Sequence, residues 1–267
     1  MNKTTLIGIL IGMVGAIGGF LMDGAHLFLL WSTSSLVIVL GSTIGATILS
    51  FGMSEIKHIG KLFKKIFQED NNDYFELIKQ LEDYSMRARR EGLLALENDI
   101  DSVEDPFIRK GLRSLVDGME YEMIGEMMEQ EISAMEERHS RGAKIFEAAA
   151  GYCPTMGIMG TVMHMLVIMT ELSDPGSLGP KISAAFTATL YGVFFANMFF
   201  FPFAEKLKGK SKDEVLYKTI AMEGILSIQK GVNPTVLREV LMVFLPLHMR
   251  KQEEEYESGR AGVANEA

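Results

Sequence analysis

Four stretches of the 267-residue chain, residues 4–22, 27–53, 148–170 and 182–204, contain no Asp, Glu, Lys or Arg. About 20 helical residues cross a hydrocarbon core of ~30 Å, and each stretch meets that length. The shorter alternating segments of a membrane barrel are absent. The first stretch is longer than the apolar core of a cleaved leader and lacks a clear small-x-small cleavage site before Leu27, so it reads as a retained helix. The pattern predicts an all-α, polytopic membrane protein: four transmembrane helices, with a helical cytoplasmic domain between the second and third.

Between residues 54 and 144 the pattern changes to that of soluble amphipathic helices. Asp73 followed by Glu76 has N-cap spacing, and Tyr74, Leu77, Ile78, Leu81 and Ala88 then fall on one face. Gly92 is expected to end that helix and Asp105-Pro106 to open another. An acidic run from Glu120 to Glu137 reads as a solvated helix face. The organisation expected is a first transmembrane hairpin over 1–53, a cytoplasmic helical domain over 54–144 and a second hairpin over 145–204. Cytoplasmic C-terminal helices and a disordered tail fill 205–267.

Charge fixes the orientation. Of the 26 Lys and Arg residues, only Lys3 and Lys181 lie outside 54–144 and the segment after Ala204. Basic residues accumulate on the cytoplasmic side, so both termini and the middle domain are expected inside. Asp23 to His26 and Glu171 to Lys181 then form short external turns. This makes the chain a multi-pass membrane protein with its basic segments inside. The net charge of −9 and pI near 5.2 argue against a nucleic-acid partner. A single Cys153 excludes an intrachain disulfide. Gly8, Gly12, Gly15 and Gly19, and then Gly41 and Gly45, have the small-xxx-small spacing that lets helices approach closely in lipid.

The third and fourth spans differ from the first two in carrying proline and clustered polar residues. Pro154 and Pro202 each remove a backbone donor, which is tolerated where a helix lines a cavity or is buried in protein. At ~1.5 Å rise per residue, Thr161 and Thr189 both lie within roughly 6 Å of the midplane. A threonine hydroxyl there either satisfies itself on its own helix or lines a polar path. Ser183, Thr187, Tyr191 and Asn197 nearby add weight to a lining. No carboxylate lies inside a span, although Glu147 and Glu171 border the third, and His164 is the sole internal His, Asp or Glu. A path that binds and releases a proton needs such a group at depth, so a conducting assembly must take its acid from a partner. No phosphate loop, metal-ligand spacing or catalytic triad is present, so neither an enzyme nor a cofactor is expected beyond the transported ion.

Three runs carry a family resemblance: Arg89 through Glu97 (RREGLLALE), Pro154 through Thr161 (PTMGIMGT) and Ala184 through Gly192 (AAFTATLYG). Together with the two-plus-two arrangement of spans, they resemble the flagellar stator MotA family, within the MotA/TolQ/ExbB ion channels, over nearly the whole chain. The resemblance implies a pentamer in the membrane lipid around a dimer of single-span MotB, which supplies the ion-binding aspartate. It implies inward flow of protons or sodium coupled to torque on the rotor protein FliG. By the match, Pro154 and Thr189 belong to the ion path and Pro202 transmits motion, while Arg89 and Glu97 face the rotor beside Arg90. Thr161 and Tyr191 are assigned to the same path. Thr161 is similar to sodium-driven members, and His164 stands where glycine is usual. Rival readings are an ExbB/TolQ-type energising subunit, which normally has one span before its cytoplasmic domain, and a non-motor membrane scaffold.

Overall fold

The computed structural model describes residues 3–22, 24, 26–68, 72–170 and 175–251. The turn around Asp23, residues 171–174 of the second turn expected outside, and the tail beyond Lys251 lie outside the described residues. Every regular element is helical. In chain order they begin with α1 (Lys3–Met22), a 3-10 turn (Leu27–Leu30), α2 (Thr33–Leu36), a π turn (Val37–Gly41) and α3 (Ser42–Ser50). There follow α4 (Met53–Ile56), α5 (Ile59–Phe67), α6 (Tyr74–Glu91), a second 3-10 turn (Leu93–Leu96), α7 (Glu97–Ile100) and α8 (Pro106–Val116). The chain continues through α9 (Tyr121–Thr170), α10 (Pro175–Phe195), a π turn (Ala196–Phe200), α11 (Phe201–Gln229) and α12 (Pro234–Met242). Among the described residues four helical stretches are long and apolar enough to span a bilayer: Thr4–Met22, Leu27–Ser50, and parts of Tyr121–Thr170 and Leu178–Gln229. The all-α class and the four spans expected from hydropathy are therefore present.

The chain divides into two compact units: Met1–Asp70 with Glu137–Ser211, and Asn71–Glu136 with Lys212–Ala267. The first holds the apolar helices. None of residues 4–22 of α1 is buried within the chain, as suits a helix whose solvent is lipid and other helices. Gly12 approaches Met198, whereas Gly8, Gly15, Gly19, Gly41 and Gly45 meet nothing of the chain itself. The second span is not one straight helix. After the Leu27–Leu30 turn, Trp31 and Ser32 are extended, and the Ser32 hydroxyl accepts from the Ser35 N–H to start α2. A hydropathy window cannot register that cap, because Ser and Thr act there through backbone hydrogen bonds rather than polarity. Near the end of the fourth span, Phe203 is packed edge-on against Phe63 and Phe146, with Ile66, Ala143, Ala204 and Leu207 around it.

The second unit has an ordinary hydrophobic core. Leu77 and Leu81 of α6, Leu112 and Leu115 of α8, Ile124 and Met128 of α9, Ile220 and Ile225 of α11 and Leu237 of α12 are nearly inaccessible. Asp73 caps α6 by accepting from the Phe75 and Glu76 N–H groups at 3.1 and 3.0 Å. Asp105 caps α8 through the Phe107 N–H at 2.8 Å, with Pro106 at its first position. Gly92 ends α6 with φ of 88°, a conformation that glycine adopts without a Cβ penalty. The acidic run is a solvated face as expected, with Glu122, Glu126, Glu129, Glu136 and Glu137 exposed and Glu131 paired to Lys110 at 2.7 Å. Asp73→Ala leaves two N–H groups of α6 without their cap and should lower the stability of this unit by ~1 kcal/mol. Thermal melting of the purified protein followed by circular dichroism checks this.

Candidate ion path and charged turn

The site begins with two helices that touch through their backbones. A Cβ on Gly157 would lie 2.9 Å from the Ala188 carbonyl oxygen and 3.2 Å from the Gly192 Cα. One on Gly192 would lie 2.7 Å from the Cys153 oxygen and 3.1 Å from the Pro154 Cα. Gly160 is likewise tight against Ala188 and Ile38. Residues 154, 157 and 161 follow helical spacing along one seam of α9, and 192, 188 or 189, and 185 follow it along α10. Glycine is required here because any side chain would push the helices apart and remove their van der Waals contact.

That close approach brings Thr161 and Thr189 together. Their hydroxyls are in hydrogen-bond contact, and Thr161 Oγ1 also lies 3.0 Å from the Ala185 carbonyl oxygen and 3.2 Å from that of Gly157. Each hydroxyl has one hydrogen. If Thr161 donates to a carbonyl, Thr189 donates to Thr161, and oxygen lone pairs are left over at a cluster of four oxygens. Thr161 shares with Thr43, which bonds to Val39 at 2.6 Å, and Thr47, which bonds to Thr43 at 2.8 Å, a bond back to the carbonyl four residues earlier, but it also reaches the oxygens of Ala185 and Thr189 on α10. Pro154 sits two turns from Thr161 along α9, against Gly192, which is one turn from Thr189 along α10.

The structure does not bring the remaining polar residues of the fourth span to this cluster. Tyr191 donates to the Leu30 carbonyl at 2.5 Å and accepts from the Ser32 N–H at 3.3 Å. Thr187 bonds to Ser183 and to Leu29, and Ser183 also reaches Leu29. These three stitch the irregular start of the second span onto α10. Asn197 bonds to Val193 in its own helix. Phe201 alone separates Pro202 from the π turn: the Phe201 N–H donates to the Ala196 carbonyl, five residues back, so the ladder widens just before the residue that has no N–H.

Two features escaped the sequence reading. His164 Nδ1 is 2.7 Å from the Gly160 carbonyl and must carry the proton there, while Nε2 meets the Ser34 hydroxyl at 3.1 Å. The imidazole thus links the third span to the second. Glu147, at the border of the third span, pairs with Lys208, which also contacts Glu205 at 2.8 Å. The hydrogen bonds that its ammonium donates to Glu147 and then to Glu205 hold Lys208 well above its ordinary pKa. An acid-to-base spacing across two helices that are distant in sequence leaves no local signal for either contact.

In the second unit, Arg89 and Arg90 are exposed on the last turn of α6, and Glu97 is exposed at the start of α7. Among the described residues none of the three is in an ion pair. Leu93 and Leu96 turn inward to the core while Leu94 stays 70% exposed at the tip. Beneath the turn, Arg87 Nη1 donates to both carboxylate oxygens of Asp99, at 2.7 and 2.6 Å. Burial, and next the Asp99 charge, push the nearby Tyr84 phenol up from its ordinary pKa.

Residues 6–92 match the family model described as Motility protein A N-terminal, and residues 99–220 match that of the MotA/TolQ/ExbB proton channel family. Motility protein A of Bacillus subtilis (strain 168) is 40% identical over 247 residues, 92% of each chain. The chain belongs to the motility protein A family. A solved structure of the flagellar MotAB stator complex from Bacillus subtilis superposes with a TM-score of 0.89 at 39% identity, covering 94% of this chain and 99% of that one. A structure of C. jejuni MotAB gives 0.88 at 31% identity, covering 92% and 97%. As a member of this family the chain is a multi-pass inner-membrane protein and a flagellar stator ion-channel subunit. The match of residues 6–92 to the motility protein A N-terminal region disfavours the ExbB/TolQ-type alternative. Stator channels are not a class of enzyme.

Proposed function

We propose that this chain works with a MotB-type single-span partner, in a pentamer around a dimer, and converts inward proton flow into torque on the flagellar rotor. The observation that carries this is the oxygen cluster at the Thr161–Thr189 contact, set near the middle of two apolar stretches, 148–170 and 182–204, that contain no carboxylate. Such a cluster can hand on an ion or its water but cannot bind and release a proton by itself, so the partner's aspartate completes the path. The ion path is formed by Pro154, Thr161 and Thr189, with Tyr191 holding the second span in place beside it. Pro202, at the widened turn of the fourth span, transmits motion. Arg89, Arg90 and Glu97 present unpaired charge to the rotor protein FliG. Both termini and the second unit lie in the cytoplasm, where the basic residues concentrate.

A second reading, sodium as the coupling ion, is favoured by the same cluster, because hard cations take oxygen ligands. Both are tested by swimming speed in a strain lacking its own stator, complemented with this chain and its partner. Speed that follows external sodium at fixed pH assigns Thr161 to sodium. Speed that collapses only with the proton gradient assigns protons. A correctly inserted complex that gives no motility under either condition overturns the torque role.

A further inference from the structure

Arg87 and Asp99 lie twelve residues apart, on either side of the Gly92 break, yet one guanidinium nitrogen reaches both carboxylate oxygens. The segment they bridge has little of its own to hold it. Gly92 has φ of 88°, a region open to glycine, the following 3-10 turn is four residues long, and α7 is four more. Helices this short do not persist by their own hydrogen bonds. Leu96 and Ile100 pin the floor of the turn in the core, but they fix its depth rather than its rotation about α6. The ion pair supplies the missing constraint. Asp99 is only 23% exposed, and its own backbone carbonyl accepts from the Ser102 hydroxyl at 2.7 Å, so the carboxylate is held to receive Arg87.

Among the described residues, Arg87 faces back towards Asp99 while Arg89 and Arg90 make no ion pair. One run of three arginines therefore divides by role: one ties the turn and two present charge. We propose that Arg87 and Asp99 form a clasp that sets the spacing of Arg89 and Arg90 relative to Glu97. They are positioning residues for the rotor contact, not contacts themselves. This rests on the rotor-facing role given to Arg89, Arg90 and Glu97 above. A charged contact discriminates partners by geometry, so a turn free to rotate would keep its charges and lose its register.

The test uses the full chain and its partner in a stator-deleted strain. Arg87→Gln and Asp99→Asn are each expected to slow swimming by roughly threefold or more, and the double variant to be no slower than either single, because the pair acts as one unit. Arg87→Lys should keep most of the speed, since a single nitrogen contacts both oxygens and an ammonium can do the same. Membrane levels and ion conduction should not change. Hydrogen exchange of purified complexes should quicken at residues 93–98 while the amides of Leu112 and Ile225 stay protected, which separates a loosened turn from an unfolded unit. Wild-type speed in both single variants, with Arg89→Glu slow, overturns the clasp alone. A slow Arg87→Lys equal to Arg87→Gln also overturns it. Wild-type speed in Arg89→Glu and Glu97→Arg removes the rotor-contact reading, and the clasp's purpose with it.

Discussion

Gly192→Val should abolish swimming, and little complex with the partner should be recovered from membranes. The first side-chain atom alone would sit 2.7 Å from the Cys153 carbonyl oxygen and 3.1 Å from the Pro154 Cα, and neither is the movable end of a side chain. The third and fourth spans must separate to admit it. Overpacking typically costs about 1–3 kcal/mol in soluble cores. In lipid, where no hydrophobic force pushes helices together, lost packing removes much of what holds the pair. The same separation would pull Thr161 from Thr189. Gly209→Ala is the matched control: nothing of the chain lies within 4 Å of the added Cβ, and alanine favours the helix. It should swim as the wild type does. Pull-down with the partner, read alongside swimming speed, checks both, and a motile Gly192→Val strain would refute the seam.

Thr189→Val is expected to lower conduction and swimming by tenfold or more while the complex still assembles. Valine keeps the branched shape in the seam and removes only the hydroxyl. A hydrogen bond to a charged group contributes about 1.5–3 kcal/mol, and each 1.4 kcal/mol is a factor of about ten. Thr189→Ser, which keeps the oxygen, should retain most of the activity. Were the hydroxyl only a local tie, as at Thr43 and Thr47, the valine variant would conduct normally. Proton or sodium flux into vesicles carrying the purified complex distinguishes these outcomes. It also reads the function of the pair separately from its contribution to stability.

Much of the first unit was legible because lipid imposes a simple rule: a helix must satisfy its own backbone and expose apolar side chains over a fixed length. The ends of the first span follow from that rule. The elements of the second unit were legible for a different reason, since Asp73, Gly92 and Asp105-Pro106 act within a few residues of themselves. What was not legible involves residues far apart in sequence. Thr161 and Thr189 could be placed at one depth, but not in contact. Ser183, Thr187 and Tyr191 had the same polarity as a lining and proved to bind the Leu29 and Leu30 carbonyls. Polarity says that a partner is needed and does not say which. The glycine spacing was read in the first hairpin, whereas among the described glycines Gly157 and Gly192 are the ones whose added Cβ would run into the backbone of another helix.

The sequence by itself determined the number and length of the spans, the charge asymmetry, the helix boundaries marked by caps and glycine, and the motif runs that carry the family. Each depends on composition or on neighbours within about one helical turn. Only the tertiary structure decided which oxygens converge at the threonine pair, that Arg87 binds Asp99 while Arg89 and Arg90 do not form ion pairs among the described residues, and that His164 and Glu147 have found partners. These depend on helix rotation and interhelical distance, which are set by packing summed over many side chains and are encoded in no single stretch of chain.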